Sequence, residues 1–261
     1  MQTALSSEAA KTRGVNPWMV LWGMLPNMDF KRMILAVYIV VALAQGGTIT
    51  VCSSGCDHSS PKAAIFAARE GDVVLVEGGR YYDHLKIDKK IAIRGIDAGY
   101  GKPILDATGY ASPITVTADG IVVEGLSLMN GGPGSAGILV LSSENVIRNN
   151  DASNNYVGVR LVGSHNSTVR GNVASGNLEY GIVLEGSSGN VITDNVMMKN
   201  FIGNAFDDGT NRWDDGSVGN RYGDFDDPEE GCIDADGDGI CDRGREIPGG
   251  SNLDRFPRAA G

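Results

Sequence analysis

"GILVLSSENVIRNN" (Gly137–Asn150), "GVRLVGSHNSTVRGN" (Gly158–Asn172) and "GIVLEGSSGNVITDN" (Gly181–Asn195) are three versions of one phrase. Their opening glycines, with Gly203 after them, are spaced 21, 23 and 22 residues apart. Asparagines recur in step at 150, 172 and 195, at 155, 177 and 200, and at 145, 166 and 190. A period near 22 with several phased columns marks a repeat architecture, which has to be recognised before any single residue is interpreted.

Each period holds two short apolar runs. Ile138-Leu139-Val140, Val159-Arg160-Leu161 and Ile182-Val183-Leu184 form one set; Val146-Ile147, Thr168-Val169 and Val191-Ile192 form the other. They are too short for helices, Gly, Asn and Ser separate them, and Asn-Gly hairpin signals are scarce. Stacking each turn of chain on the one before it satisfies the pattern better than hairpins do. The expected fold is therefore all-β, a right-handed parallel β-helix of roughly 22 residues per coil. Strand alternation points Ile138, Val140, Val159, Leu161, Ile182 and Leu184 inward and Leu139, Arg160 and Val183 outward. Asn150, Asn172 and Asn195 are expected to be structural. Asn tolerates the left-handed turn conformation, and stacked amides can hydrogen-bond from coil to coil.

A solenoid needs closed ends. Ser60 as N-cap and Pro61 at the first helical position predict a capping helix over Pro61–Arg69. At the other end lies an acidic tail. Five domains or segments are expected: an extension over 1–27, with Met28 as the true start; a signal peptide over 28–44; a strand and capping helix over 45–72; the β-helix over 73–212; and the tail over 213–261. The signal peptide rests on Lys31 and Arg32, the uncharged run Met33–Leu43 and the small residues Ala42 and Ala44. That run is shorter than the roughly 20 apolar residues of a membrane span, so no stable span is expected in the mature chain. The protein is expected to be secreted or at the cell surface.

Among 261 residues there are 32 acidic and 22 basic ones, a net charge of −10. That balance argues against nucleic acid, which needs basic patches. All four cysteines, Cys52, Cys56, Cys232 and Cys241, follow the leader, and an even number in an exported chain suggests disulfides. Three pairings are possible; the local pairs 52–56 and 232–241 are expected, with a Cys₄ zinc site as the alternative.

The tail contains "DADGDGICD" (Asp234–Asp242). Asp234, Asp236 and Asp238 take positions 1, 3 and 5 of a calcium loop, the Ile240 carbonyl position 7 and Asp242 position 9, with Gly239 at the sharp turn. Position 12 is Arg245 instead of a bidentate acid, so the stretch is closer to the shorter Asp-rich loops of extracellular repeats than to an EF-hand. Calcium in a structural role is the expected cofactor.

With these stretches in place, the chain resembles NosD-like, PbH1-repeat right-handed β-helix proteins, an archaeal-type group of secreted surface proteins. "AAIFAAREGDVVLVEGGRYYDHLKIDKKIAIRGID", the Asn-phased coils and "GNRYGDF…DADGDGICD…IPGGSNLDRFP" carry the resemblance over about residues 48–257. It implies carbohydrate-binding proteins and sugar hydrolases as the wider group. The implied ligand is an extracellular polysaccharide or cell-envelope component. The NosD name also carries an association with copper. Copper needs clustered Cys, His or Met, and outside the leader Met197-Met198 is the only close pair, so copper is not expected.

Catalytic residues remain unassigned. The outward column Glu124, Arg148, Arg170 and Thr193 and the group Asp151, Arg160 and Glu185 lack the paired carboxylates of a glycosidase. His58, His84 and His165 are far apart in sequence. Three functions compete: a non-enzymatic glycan binder, a polysaccharide lyase or hydrolase acting on an acidic glycan, and an envelope-assembly or protein-contact module. Exposed aromatics, with Tyr156, Tyr180, Trp213 and Tyr222 as candidates, would favour sugar. An apolar face built from residues such as Leu139 and Val183 would favour a protein. Asn166 begins a glycosylation sequon.

Overall fold

A computed structural model describes residues 46–260; the extension and signal peptide expected over 1–44 lie outside the described residues. From Thr48 onward the chain winds into a parallel β-solenoid of about eight turns, each turn visiting three sheets. The first sheet stacks eight strands in parallel, from Thr48–Val51 through Val73–Glu77, Ala92–Ile96 and on to Thr210–Arg212. The second stacks six, from Leu85–Ile87 to Gly203–Asp207. The third begins with Arg80–Tyr81, Ile104–Asp106 and Ser127–Met129. It continues as single bridges through Asp151 and Val173 to Val196–Met197 and Arg221–Tyr222.

Most of these strands are three residues long or shorter, too short to be stable alone. Their alternation makes the stack. Ile138, Val140, Val159, Leu161, Ile182 and Leu184 all point into the solenoid and are fully buried, as their period of two requires. They join a continuous interior column with Val123, Ile147, Val169 and Ile192. Of the three residues expected outward, Leu139 and Arg160 are half-buried. Val183 faces outward yet is buried, because Leu139, Tyr156, Tyr180 and Phe206 cover it in a small second cluster.

The turns are held by side chains from the next coil. Asn150 N–H donates to Asn172 Oδ1 (3.0 Å), Asn172 N–H to Asn195 Oδ1 (2.9 Å) and Asn195 N–H to Asn220 Oδ1 (3.1 Å). Each side-chain amide also donates to the next Oδ1 and to a backbone carbonyl. A second ladder runs Asn155, Asn177, Asn200. Two details depart from the sequence reading. The left-handed residues stand one position earlier, at Asn149, Gly171 and Asp194, so the ladder asparagines are buried acceptors and not the strained corners. The third ladder runs Asn145, Ser167, Asn190, because Asn166 occupies the left-handed corner (φ 54°) and passes its ladder place to Ser167.

Helix α1 (Pro61–Ala67) is capped by Ser60, whose Oγ accepts from Ala63 N–H. Lys89 Nζ donates to the carbonyls of Ile65, Phe66 and Ala68 at its other end. Ala64 and Ile65 are buried in the core with Val51, Val74 and Leu85. Among the described residues no helix is long and apolar enough to cross a membrane.

After the last coil the tail folds back over the stack. Asn211 N–H donates to Asn252 Oδ1, and Asn220 N–H to Asp254 Oδ2 (2.7 Å). Trp213 and Tyr222 fill the core here. Tyr222 O–H donates to Asp254 Oδ2, and Trp213 Nε1–H to Asp207 Oδ2. Disulfides join Cys52 to Cys56 and Cys232 to Cys241, so the zinc alternative falls. The tail is also tied down by ion pairs: Arg255 with Asp214, Arg258 with Asp194 at 3.0 Å, and Arg245 with Asp224 at 2.8 Å.

Two outcomes test this architecture. Asn172→Ala strips a fully buried residue whose amide serves two neighbouring coils. It should cost about 2–4 kcal/mol in chemical denaturation, because buried N–H and C=O groups lose their partners. Asn166→Gly, at an exposed left-handed corner, should stay within about 0.5 kcal/mol of wild type. Burial pushes the Asp254 carboxyl from 3.8 up to about 6. A folded value above the unfolded one means this group's contribution is full below about pH 4 and is lost as pH rises through 6. The loss is on the order of 3 kcal/mol. Asp254→Asn should abolish that slope in a stability–pH profile; an unchanged slope would remove Asp254 as its source.

Candidate functional site

At the corner where the third sheet hands the chain to the second lies an open groove of about 640 Å³. Its shape follows from the backbone. The residues at this corner, Thr108, Asn130, Asn154, Gly176 and Lys199, repeat a left-handed turn with φ between 55° and 65°. Directly after Asn130 the chain reads Gly-Gly-Pro-Gly. Gly131 aligns with Asn155, since its N–H donates to Asn155 Oδ1 at 2.8 Å. Gly132 therefore takes the place that Tyr156 fills one coil later. A Cβ on Gly132 would meet Gly109 O at 2.3 Å, so the backbones of adjacent coils approach closely here and leave a hollow.

The groove floor is polar. Asp106 is buried and accepts from Arg80 (3.0 Å), Thr108 N–H (2.9 Å) and Asn130 Nδ2 (2.8 Å). The hydroxyl of Thr108 and the amide of Asn154 make no hydrogen bond among the described residues and line the same hollow. Tyr156 forms one wall, and the nearby Glu179 carboxylate raises its phenol above the ordinary value. Leu178, 64% exposed, forms the rim.

In the tail, carboxylate oxygens of Asp234, Asp236 and Asp238 lie within 4.8 Å of one another. Backbone donors hold them there. Asp234 accepts from the N–H groups of Gly237, Asp238 and Gly239, and Asp238 from Ile240 N–H. Asp242 Oδ2 accepts from Ala235 N–H, which turns it back over the loop. The Cys232–Cys241 disulfide closes the loop, and Ile240 pairs with Arg258 on the segment that covers the last coil.

The sequence model of a family described as "Periplasmic copper-binding protein (NosD)" matches residues 102–226. Over that stretch, just under half of the chain, the β-helix coils are similar to the NosD family. A solved structure of a pectin methylesterase mutant in complex with a hexasaccharide is also similar, at 14% identity and a TM-score of 0.39. That match covers 62% of this chain and 66% of the other, just under two thirds of its length. No curated protein matches the chain.

Copper, which the NosD description names, needs soft nitrogen and sulfur donors in one place. His58 bridges to Val51 just past the Cys52–Cys56 loop, His84 precedes the strand Leu85–Ile87, and His165 Nδ1 bonds Ser188 Oγ at a corner several coils away. All four cysteines are in disulfides, and Met197 is enclosed in the core. Among the described residues the acidic groups with metal-binding spacing contain only oxygen donors or disulfide sulfur, which does not fit copper.

The other sequence candidates separate. Glu124, Arg148, Arg170 and Thr193 do form one outward column of the first sheet. There Glu124 is clamped between Arg94 (3.4 Å) and Arg148 (2.9 Å). Arg160 and Glu185 pair at 2.7 Å on the second sheet, but Asp151 lies on the third, between Ser127 and Val173, so the trio does not assemble. Of the four aromatic candidates Trp213 and Tyr222 are core residues, buried because the solenoid's last coil needs bulk to fill it. Tyr180 packs against Phe206 with ring centroids 5.9 Å apart and planes tilted by 51°. The groove itself was missed from sequence. Its signals were the glycine run Gly131–Gly134, which interrupts the repeat, and an apolar residue directly after each ladder asparagine of one row: Tyr156, Leu178 and Phe201.

Proposed function

We propose that this is an exported β-helix protein that binds an extracellular polysaccharide or cell-envelope glycan in the corner groove, without cleaving it. The observation that carries the reading is the composition of the groove: free amide and hydroxyl groups beside a tyrosine wall, in an open hollow. Sugars are recognised this way, by planar hydrogen-bonding side chains around a ring and an aromatic face against its C–H groups. Asp106 is already committed to Arg80, Thr108 and Asn130, which suits a positioning group better than a proton donor. The leader over 28–44 and the two disulfides support export. Helix α1 and the tail act as the two caps of the stack, over 45–72 and 213–261.

Calcium in the Asp234–Asp242 loop is the second part of the reading. Three carboxylates within 4.8 Å repel one another unless a cation joins them, and the disulfide reduces the cost of ordering the loop. Calcium would then brace the segment Pro257–Ala259, whose backbone pairs with the loop at Cys241 N–H and Ala259 N–H.

The glycan reading predicts that Asn154→Gly lowers affinity for bound oligosaccharide by roughly tenfold, the loss of one or two polar contacts. Glycine keeps the left-handed turn, as Gly176 does one coil on, so the melting temperature should not move. Unchanged binding would place the ligand elsewhere, and release of new reducing ends from the glycan would favour the lyase or hydrolase. For the loop, calcium should raise the melting temperature of wild type and leave Asp236→Ala unaffected. Equal curves with calcium and with chelator would leave a bare acidic loop.

A further inference from the structure

The corner groove continues beyond its hollow as a ladder of exposed apolar side chains. Leu178 N–H donates to Asn155 O (2.9 Å) and Phe201 N–H to Asn177 O (3.0 Å). In this parallel stack a residue lies beside the one that follows its acceptor, as Val146 does beside Val122 when it bonds Ile121 O. Leu178 therefore sits beside Tyr156, and Phe201 beside Leu178. The three occupy one line along the solenoid axis, one per coil. Phe201 is 86% exposed, and nothing in the fold needs it there. The coil spacing of about 4.8 Å is close to the length of one sugar unit in a linear polymer.

Charge narrows the occupant further. Among the described residues no Lys or Arg lines the groove; its charged lining group is Asp106, paired with Arg80 at 3.0 Å. Lys199 stands at the corner one coil past Gly176, outside the hollow. The chain as a whole carries −10. With Arg80 already paired to Asp106, the groove holds no unpaired cation to meet the carboxylates of a polyuronate.

We infer that the occupant is a neutral, linear glycan that lies parallel to the solenoid axis, one unit in the hollow beside Asn130 and Asn154 and the following units over Tyr156, Leu178 and Phe201. This rests on the glycan reading of the groove and adds polymer direction, length and charge to it. The ladder offers C–H contact without hydrogen bonds, so it extends affinity for chain length while the hollow selects the unit. A rigid ladder also binds a polymer at low entropic cost, since the in-register coils hold the three side chains in place.

The test uses the mature full chain on an array of neutral and uronate oligosaccharides of increasing length, followed by titration of the best binder. Neutral oligomers should bind, with affinity rising from the disaccharide to oligomers long enough to reach Phe201. Phe201→Ala should weaken the long oligomers by roughly tenfold and leave the disaccharide unchanged. Leu178→Ala should act in the same direction. Both positions are exposed, so both variants fold. Affinity independent of length, tighter binding of uronates, or a Phe201→Ala loss equal for short and long oligomers would overturn the inference while the groove remained a sugar site. Silence across the whole array would overturn both.

Discussion

The structure depends on the cost of burying a turn. A chain that coils back on itself every 22 or so residues must carry its corners past one another, and each corner has backbone N–H groups cut off from water. An unpaired buried donor costs about 1–3 kcal/mol, and this protein has such corners in every coil. The solution is a side-chain acceptor supplied by the next coil. Leu126 N–H reaches Asn150 Oδ1, Asn150 reaches Asn172, Asn172 reaches Asn195, and Asn195 reaches Asn220. Asparagine suits the place because one side chain carries an acceptor for the coil before and a donor for the coil after. Strands three residues long then suffice, since register is set at the corners and the β-branched interior has only to pack.

A register fixed at the corners extends to whatever stands next to them. Tyr156, Leu178 and Phe201 form a line because Asn155, Asn177 and Asn200 do. The hollow exists because the coil before Tyr156 offers Gly131 and Gly132 at the same places, where two backbones approach too closely for side chains. The outward charges follow the same rule: Arg94, Glu124 and Arg148 stack as plus, minus, plus, and so pair without long side-chain excursions. A surface built this way is rigid and periodic, which is why it is read as a platform for a periodic ligand.

Much of this was legible in the sequence, and the reasons differ from one residue to another. Ile138, Val159 and Ile182 were placed inward by periodicity alone, because alternation in a strand leaves one choice once a face is buried. The ladder of Asn150, Asn172 and Asn195 was visible because one chemistry repeats at one spacing. Asn166 misled because it is an asparagine in phase with the wrong column by a single residue, and a period that varies between 21 and 23 hides a shift of one. The burial of Trp213, Tyr222 and Val183 was hidden for a different reason. Their burial is imposed by residues distant in sequence: the tail over the first two, and Tyr180 with Phe206 over the third. The groove was the least legible, since it is made by missing side chains.

The ladder also has a direction, and its two ends cannot be alike. Each asparagine turns its Oδ1 toward the coil before and spends its Nδ2 on the coil after, so the last coil needs a final acceptor and has no onward acceptor for another amide. The tail supplies that acceptor as a carboxylate. Asp254 Oδ2 takes Asn220 N–H, Asn220 Nδ2 and Tyr222 O–H, while Oδ1 takes Phe256 N–H. An asparagine at the same place would set its own Nδ2–H against Phe256 N–H, two buried donors face to face. The carboxylate avoids that conflict, but it must be desolvated, and burial accordingly lifts its pKa to about 6. Titration at this end of the stack thus follows from ending one ladder on a carboxylate; the neighbouring ladder ends on Asn252 Oδ1, whose Nδ2 finds Gly209 O instead.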